Sequence, residues 1–157
     1  MQSFRHSIYL NKPVEEVYKY VGTGNGFTKW FIGKSVYSFG GKTRNDDEYV
    51  KKGDAFKWDW LEKDLSITGK VLEAEINNSF KFTFGKSFIV AITVKEDKGR
   101  TLFALYQEYA KETNPDDFAH INCCVCWVFF ITNLKSVIEF GHDLRETSVD
   151  NEELVNR

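Results

Sequence analysis

The sequence has no second group of cysteines: all three, Cys123, Cys124 and Cys126, fall within the stretch NCCVCW. Structural zinc takes four soft ligands, typically paired from two separate segments, and only His120 stands within a turn of these thiols. Three clustered cysteines form no intramolecular disulfide framework, and they suit a reducing compartment. Histidine is scarce as well, with His6, His120 and His142 widely scattered, so no nucleophile–base–orienter set can be assembled. Neither sign of charge is in excess: 21 Lys and Arg against 23 Asp and Glu leave a net charge of −2. That removes the electrostatic reason to expect nucleic acid or an anionic membrane as a partner. The opening MQSFRHSIYLNKP lacks a basic-then-apolar leader, and the longest unbroken apolar run, Cys123 to Ile131, is far short of the ~20 residues that span a bilayer. The expectation is a cytoplasmic protein with no membrane span. GTGNGF lacks the lysine and the glycine spacing of a phosphate loop and reads as a loop between helices. Asp46, Asp47 and Glu48 read as a solvated turn, so neither a cofactor nor a metal is expected.

What the chain has in quantity is rings. Its 14 Phe, 7 Tyr and 4 Trp are 16 % of 157 residues, which means either an unusually bulky core or a cavity lined with rings. Residues 3–10 alternate, with Phe4, His6, Ile8 and Leu10 on one face, and predict a strand. Pro13, Glu15 and Glu16 suit the start of a short helix whose apolar side is Val14, Val17, Tyr18 and Val21. Gly22, Gly24 and Gly26 are expected to break it, with another helical turn or two around Phe27, Trp30 and Phe31. From about 34 to 110 the period is two: Phe56, Trp58 and Trp60; Ile67, Gly69 and Val71; Phe80, Phe82 and Phe84; Phe88, Val90, Ile92 and Val94; Phe103, Leu105 and Gln107. Asp97-Lys98-Gly99 signals a hairpin turn. Asn114 as cap, Pro115 in first position and Asp116 and Asp117 after them predict a long helix to about Phe140, stopped by Gly141. Residues 1–145 read as one domain. The polar stretch from 142 on is expected to fray, with 146–157 as a tail. A strand, two short helices, a long antiparallel meander and a long C-terminal helix define an α+β chain in which a curved sheet closes around that helix.

Several motifs carry a resemblance in the same order. KPVEEVYKYV, the Phe27–Phe31 run ending in Trp-Phe, FKWDW, TGKVLEAE, KGRTLFALYQEY and WVFFITNLKSVIEFG together resemble the START-like (SRPBCC) superfamily. Within it they are most similar to homologues of the activator of the ninety-kilodalton heat-shock chaperone's ATPase. Lys12 occupies the usual Ser/Ala cap position, SVYSFGGKTRNDDEYVKKGD departs from the usual short loop, and Cys126 stands where relatives commonly have Gly. The resemblance implies a helix-grip fold, as in pollen allergens, which leaves a pocket between sheet and helix. It implies three functional readings: a binding protein for a small hydrophobic or amphipathic ligand such as a lipid; a co-regulator of a heat-shock chaperone; or a cavity-based cyclase or hydrolase.

The leading expectation is the binding protein, with no catalytic residue assigned. Trp30, Phe56, Trp58, Trp60, Phe82, Phe103, Gln107 and Trp127 are expected to line its pocket, the rings supplying apolar surface and Gln107 one polar anchor. His6, on the apolar face of the first strand, reads as a hydrogen-bonded core residue or a polar group of the pocket. On a helix, Cys123, Cys124 and Trp127 share one broad face with Cys126 on its flank, so the cysteines read as small packing residues against a crowded sheet. Which of these thiols faces the pocket stays open at this level.

Overall fold

The computed structural model describes residues 2–61, 64–111, 114–148 and 153–156. Strand β1 (Ser3–Leu10) buries Phe4 and Leu10 and exposes Arg5, as its alternation requires. Helix α1 (Val14–Gly22) starts one residue later than expected. Pro13 keeps an extended backbone (φ −61°, ψ 153°) and caps the helix instead of entering it, while Glu15 and Glu16 face the positive end of its dipole.

The glycines that follow do not break the helical path. Only Thr23 interrupts it, and its Oγ1 accepts from the Gly26 N–H at 3.0 Å, starting α2 (Gly24–Thr28) at once. Gly26 is required by space: a Cβ there would overlap the backbone of Lys19 and Tyr20 where α2 folds back on α1. The side-chain cap outweighs the low helix propensity of glycine.

The meander follows as β2 (Lys34–Phe39), β3 (Lys42–Thr43), β4 (Ala55–Asp59), β5 (Ser66–Glu75), β6 (Ser79–Phe84), β7 (Phe88–Asp97) and β8 (Arg100–Tyr109). All pairings are antiparallel, in the order β1-β8-β7-β6-β5-β4-β2-β3. The β7–β8 hairpin turns at Lys98 and Gly99, both with positive φ, where the turn signal falls. The segment 35–54, which departs from the usual short loop, supplies most of β2, all of β3 and the connection to β4. There the fully buried Asp54 accepts from Arg44 Nε, from Arg44 Nη2 at 2.7 Å and from the Lys51 N–H at 2.9 Å.

The long helix α3 (Asp117–Phe140) begins after Asp116, whose carboxylate accepts from the Ala119 N–H at 3.0 Å; it ends at Gly141 in the left-handed conformation (φ 67°). Asn114 and Pro115 therefore precede the helix, because Asp116 supplies the capping oxygen two residues further on. By length and composition α3 would suffice to cross a membrane. Here its inner face is spent on the protein body, through Trp127, Ile131, Leu134 and Ile138. It also runs beside β1, joined by His6 Nε2 to the Cys124 carbonyl (2.9 Å) and Lys135 Nζ to the Tyr9 carbonyl (2.7 Å).

The chain just past α3 is tied down where polar composition predicts fraying. The buried Asn133 donates to the Trp30 carbonyl (2.9 Å) and to Asp143 (3.0 Å), and accepts from the Leu144 N–H (2.7 Å). Arg145 donates to the carbonyls of Thr28 (2.9 Å) and Ile32 (3.1 Å). Residues 149–152 and 157, in the expected tail, lie outside the described residues. The whole is a curved antiparallel sheet gripping one long helix, with two short helices early in the chain.

Candidate functional site

Rings from the sheet and the short helices first pack on one another. Phe56 and Trp58 stack at 4.0 Å, Trp58 meets Phe82 edge-on at 5.1 Å, and Phe27 stands between Trp30, Phe31 and Trp58. Such offset and edge-to-face contacts each add about 0.5–1.5 kcal/mol beyond burial. The lattice is complete up to Phe31 and Trp127, which stack at 4.6 Å. Beyond them it opens. A groove of ≈ 290 Å³ is bordered by Phe31, Trp60, Leu61, Leu65 and Phe84 on one side and by Asn122, Cys123, Cys126, Trp127 and Phe130 of α3 on the other. Arg145 and Glu146 line it as well.

Each wall has a local cause. Cys123, Cys126, Trp127 and Phe130 recur at helical spacing and so share one side of α3. Phe84 ends the inward face of β6, and Trp60, Leu61 and Leu65 belong to the β4–β5 connection. Trp127 is held by its indole N–H, which donates to Gln107 Oε1 at 2.9 Å. Gln107 Nε2 lies 3.3 Å from Nδ1 of the fully buried His120, whose ring stacks on Phe88 (5.3 Å) and Tyr109 (4.7 Å). Burial lowers the His120 pKa, so the imidazole is neutral and Nδ1 can accept the amide hydrogen.

Burial raises the Cys123 pKa, only partly opposed by Gln107, and a protonated thiol is a weak nucleophile. Arg145 is spent on backbone carbonyls and on Asp143, 2.7 Å from its guanidinium. Glu146 accepts from the Ser148 side chain and backbone, which lowers its pKa. Among the described residues no three His, Cys, Asp or Glu side chains gather as a metal site. A second hollow of ≈ 490 Å³ lies among Lys19, Tyr20, Asn25, Lys29 and Asp47.

Of the eight residues expected to line a cavity, Trp60 and Trp127 border the groove. Trp30, Phe56, Trp58, Phe82 and Phe103 are buried in the ring lattice away from it, because neighbouring rings fill the space they face. Gln107 stands behind Trp127 as its hydrogen-bond partner. Two of the three thiols, Cys123 and Cys126, border the groove, while Cys124 lies toward His6, with Sγ 3.6 Å from Nε2. Residue-level reading missed Phe130, Leu61, Leu65 and Asn122. The helical spacing of 123, 126, 127 and 130 was the available signal for the α3 wall; nothing in the pattern marks the β4–β5 connection.

A curved antiparallel sheet closed by its C-terminal helix, with an apolar groove against that helix, is the START-like, helix-grip fold. No family model matches the sequence, and no curated protein matches it. Solved structures do. The chain is similar to a Staphylococcus saprophyticus protein (TM-score 0.70, 16 % identity, 92 % of this chain and 97 % of that one). It is also similar to the Aha1 dimer from Colwellia psychrerythraea (TM-score 0.67, 18 % identity, 90 % and 98 %). CalU16 from Micromonospora echinospora aligns as well (TM-score 0.64, 17 % identity, 88 % and 77 %). At these identities the likeness is one of fold.

Proposed function

We propose that this chain binds a small, mostly apolar ligand in the groove between α3 and the β4–β5 connection, and acts as a carrier or sensor of that ligand in the cytoplasm. The observation that carries this reading is the open end of the ring lattice at Trp127. Elsewhere the rings pack to completion; here ≈ 290 Å³ is left between Phe31, Trp60, Phe84 and Phe130. That is the lower end of the ~300–1,000 Å³ of small-molecule sites, and it suits a ligand of one or two rings or a short acyl chain. Water held among such side chains finds few partners, so its release favours an apolar occupant. Asn122 and Glu146 at the rim offer a polar contact for an amphipathic one.

The test is native mass spectrometry and tryptophan fluorescence against a panel of aromatic metabolites and fatty acids. A retained ligand that quenches Trp60 and Trp127 supports the reading. Cys123→Phe, which fills the groove, and Leu65→Glu, on the exposed rim, should each weaken binding at least tenfold, about 1.4 kcal/mol. Failure of every panel member to bind, or equal binding by both variants, would sink it.

The likeness to an Aha1 structure favours a second reading, co-regulation of a heat-shock chaperone through protein contacts. It predicts stimulation of the chaperone's ATPase by saturating protein, and an unchanged rate rejects it. A cyclase or hydrolase is the weakest reading: among the described residues that line the groove, Arg145 is taken up by Asp143 and backbone carbonyls, Glu146 by Ser148, and burial keeps the Cys123 thiol protonated.

A further inference from the structure

The inner face of α3 is spent on the sheet, yet its outer face is apolar too. Phe118 is 84 % exposed, Ile121 53 %, Val125 66 % and Val128 52 %. Their spacing of three, four and three residues draws one straight stripe along the helix, the pattern of a helix–helix seam. Over 118–128 it runs about 15 Å. Contiguous apolar surface of this kind on a folded domain marks an interaction site.

Charge narrows the occupant. No Lys or Arg occurs between Lys111 and Lys135, and the ammonium of Lys135 is held by Glu139 and the Tyr9 carbonyl, both at 2.7 Å. A helix lying on a membrane surface carries a cationic rim, which this one lacks; it begins instead with Asp116 and Asp117. The surface fits a helix of the same kind, and the stripe is complementary to its own reverse. Laid antiparallel, Phe118 faces Val128 of a second copy and Ile121 faces its Val125, then the same two layers in reverse. Each layer matches a larger side chain with a smaller one. Past Val128 the stripe ends at the exposed, polar Thr132, and before Phe118 it ends at the acidic start of the helix, Asp116 and Asp117. The antiparallel direction also opposes the two helix dipoles and sets the two Asp117 side chains about 18 Å apart along the axis, where a parallel pair would bring the acidic ends together.

We propose that the outer face of α3 docks a second copy of this chain in an antiparallel, two-fold helix pair centred between Ile121 and Val125. Four apolar side chains from each copy fall short of the ~800 Å² per partner of a standard interface, so the dimer is weak and concentration-dependent. It does not depend on the groove being occupied.

Sedimentation velocity up to about 1 mM protein tests this, the range in which an association of about 4 kcal/mol is visible. The wild-type chain should shift from monomer to dimer. Val125→Glu should weaken association at least about tenfold by burying an unpaired carboxylate, with an unchanged thermal melt because the site is exposed. Ile121→Lys alone should do the same. The double variant Ile121→Lys/Val125→Glu should dimerise again, since the antiparallel register opposes these two positions. A wild-type chain that stays monomeric at about 1 mM, a Val125→Glu variant that associates as the wild type does, or a double variant no better than the singles would overturn the proposal. So would flotation of the monomer with neutral phosphatidylcholine vesicles.

Discussion

Because the Gln107 amide nitrogen donates to His120 Nδ1, the His120 ring carries its proton on Nε2, and that atom has no partner among the described residues. A second proton on this ring would sit between aromatic faces and against an amide hydrogen. Burial accordingly lowers its pKa below the ordinary 6.5. Above pH 6.5 the folded and unfolded chains both hold a neutral imidazole. Below it the unfolded chain binds a proton that the folded chain refuses, so stability falls as pH drops from 6.5 through the folded pKa. Glu139 and Asp143 have pKa values lowered from 4.5 and 3.8. Burial opposes the shift, but Lys135 and Arg145 outweigh it, so their losses come at lower pH. Urea midpoints measured from about pH 7.5 to about 5 should decline, and the decline should flatten in His120→Phe. That variant keeps a ring between Phe88 and Tyr109 but strands the Gln107 amide, so it should start about 1–3 kcal/mol less stable at pH 7.5. An equal slope in both proteins would remove His120 from the account. Gln107 was legible as an inward polar residue, being on the face of Phe103 and Leu105. Its partners were not, because they lie on α3 and no periodicity links a strand to a helix.

At the scale of elements, the segments with a strong period were the legible ones. The strands follow alternation because each has one face toward the rings, and α3 follows its acidic start and its glycine stop. What escaped was decided by single side-chain hydrogen bonds: Thr23 capping α2 through its glycines, and Asn133 and Arg145 holding residues 143–145 against α2. The β3–β4 connection belongs to the same kind. Its loop replaces ladder hydrogen bonds with the buried Asp54 carboxylate, and Arg44, itself nearly buried, is the only cation bonded to it among the described residues. Arg44 also donates to Glu48 at 2.7 Å, and the two carboxylates hold its pKa raised against the effect of burial. Arg44→Met leaves a buried charge unpaired and should cost about 3–5 kcal/mol in equilibrium unfolding. Arg44→Met/Asp54→Asn should recover part of that loss, because the neutral amide tolerates burial better. If the double variant is no more stable than the single one, the loop is held by something other than this pair.

For the whole molecule, aromatic richness was legible from composition, but not its division between a solid core and a groove. A ring on the inward face of a strand reads the same whether another ring or a ligand faces it. The three-dimensional packing separates them. Phe82 touches Phe27, Phe56, Trp58, Phe80 and Phe84 and has no exposed surface. Trp60 is half-buried, touches Phe31 and Phe130, and borders the groove. The two substitutions should therefore separate stability from binding. Phe82→Ala removes a ring from a lattice that cannot close over the gap and should cost about 3–5 kcal/mol, while ligand affinity per folded molecule stays near wild type. Trp60→Ala should cost less than half as much, since its outer surface is already in water, yet weaken ligand binding at least tenfold by removing one wall of the groove. Urea unfolding beside a fluorescence or calorimetric titration reads both quantities on the same preparations. If Phe82→Ala weakens binding as much as Trp60→Ala does, the ligand reaches into the ring lattice itself, and the cavity lies where alternation along the strands first placed it.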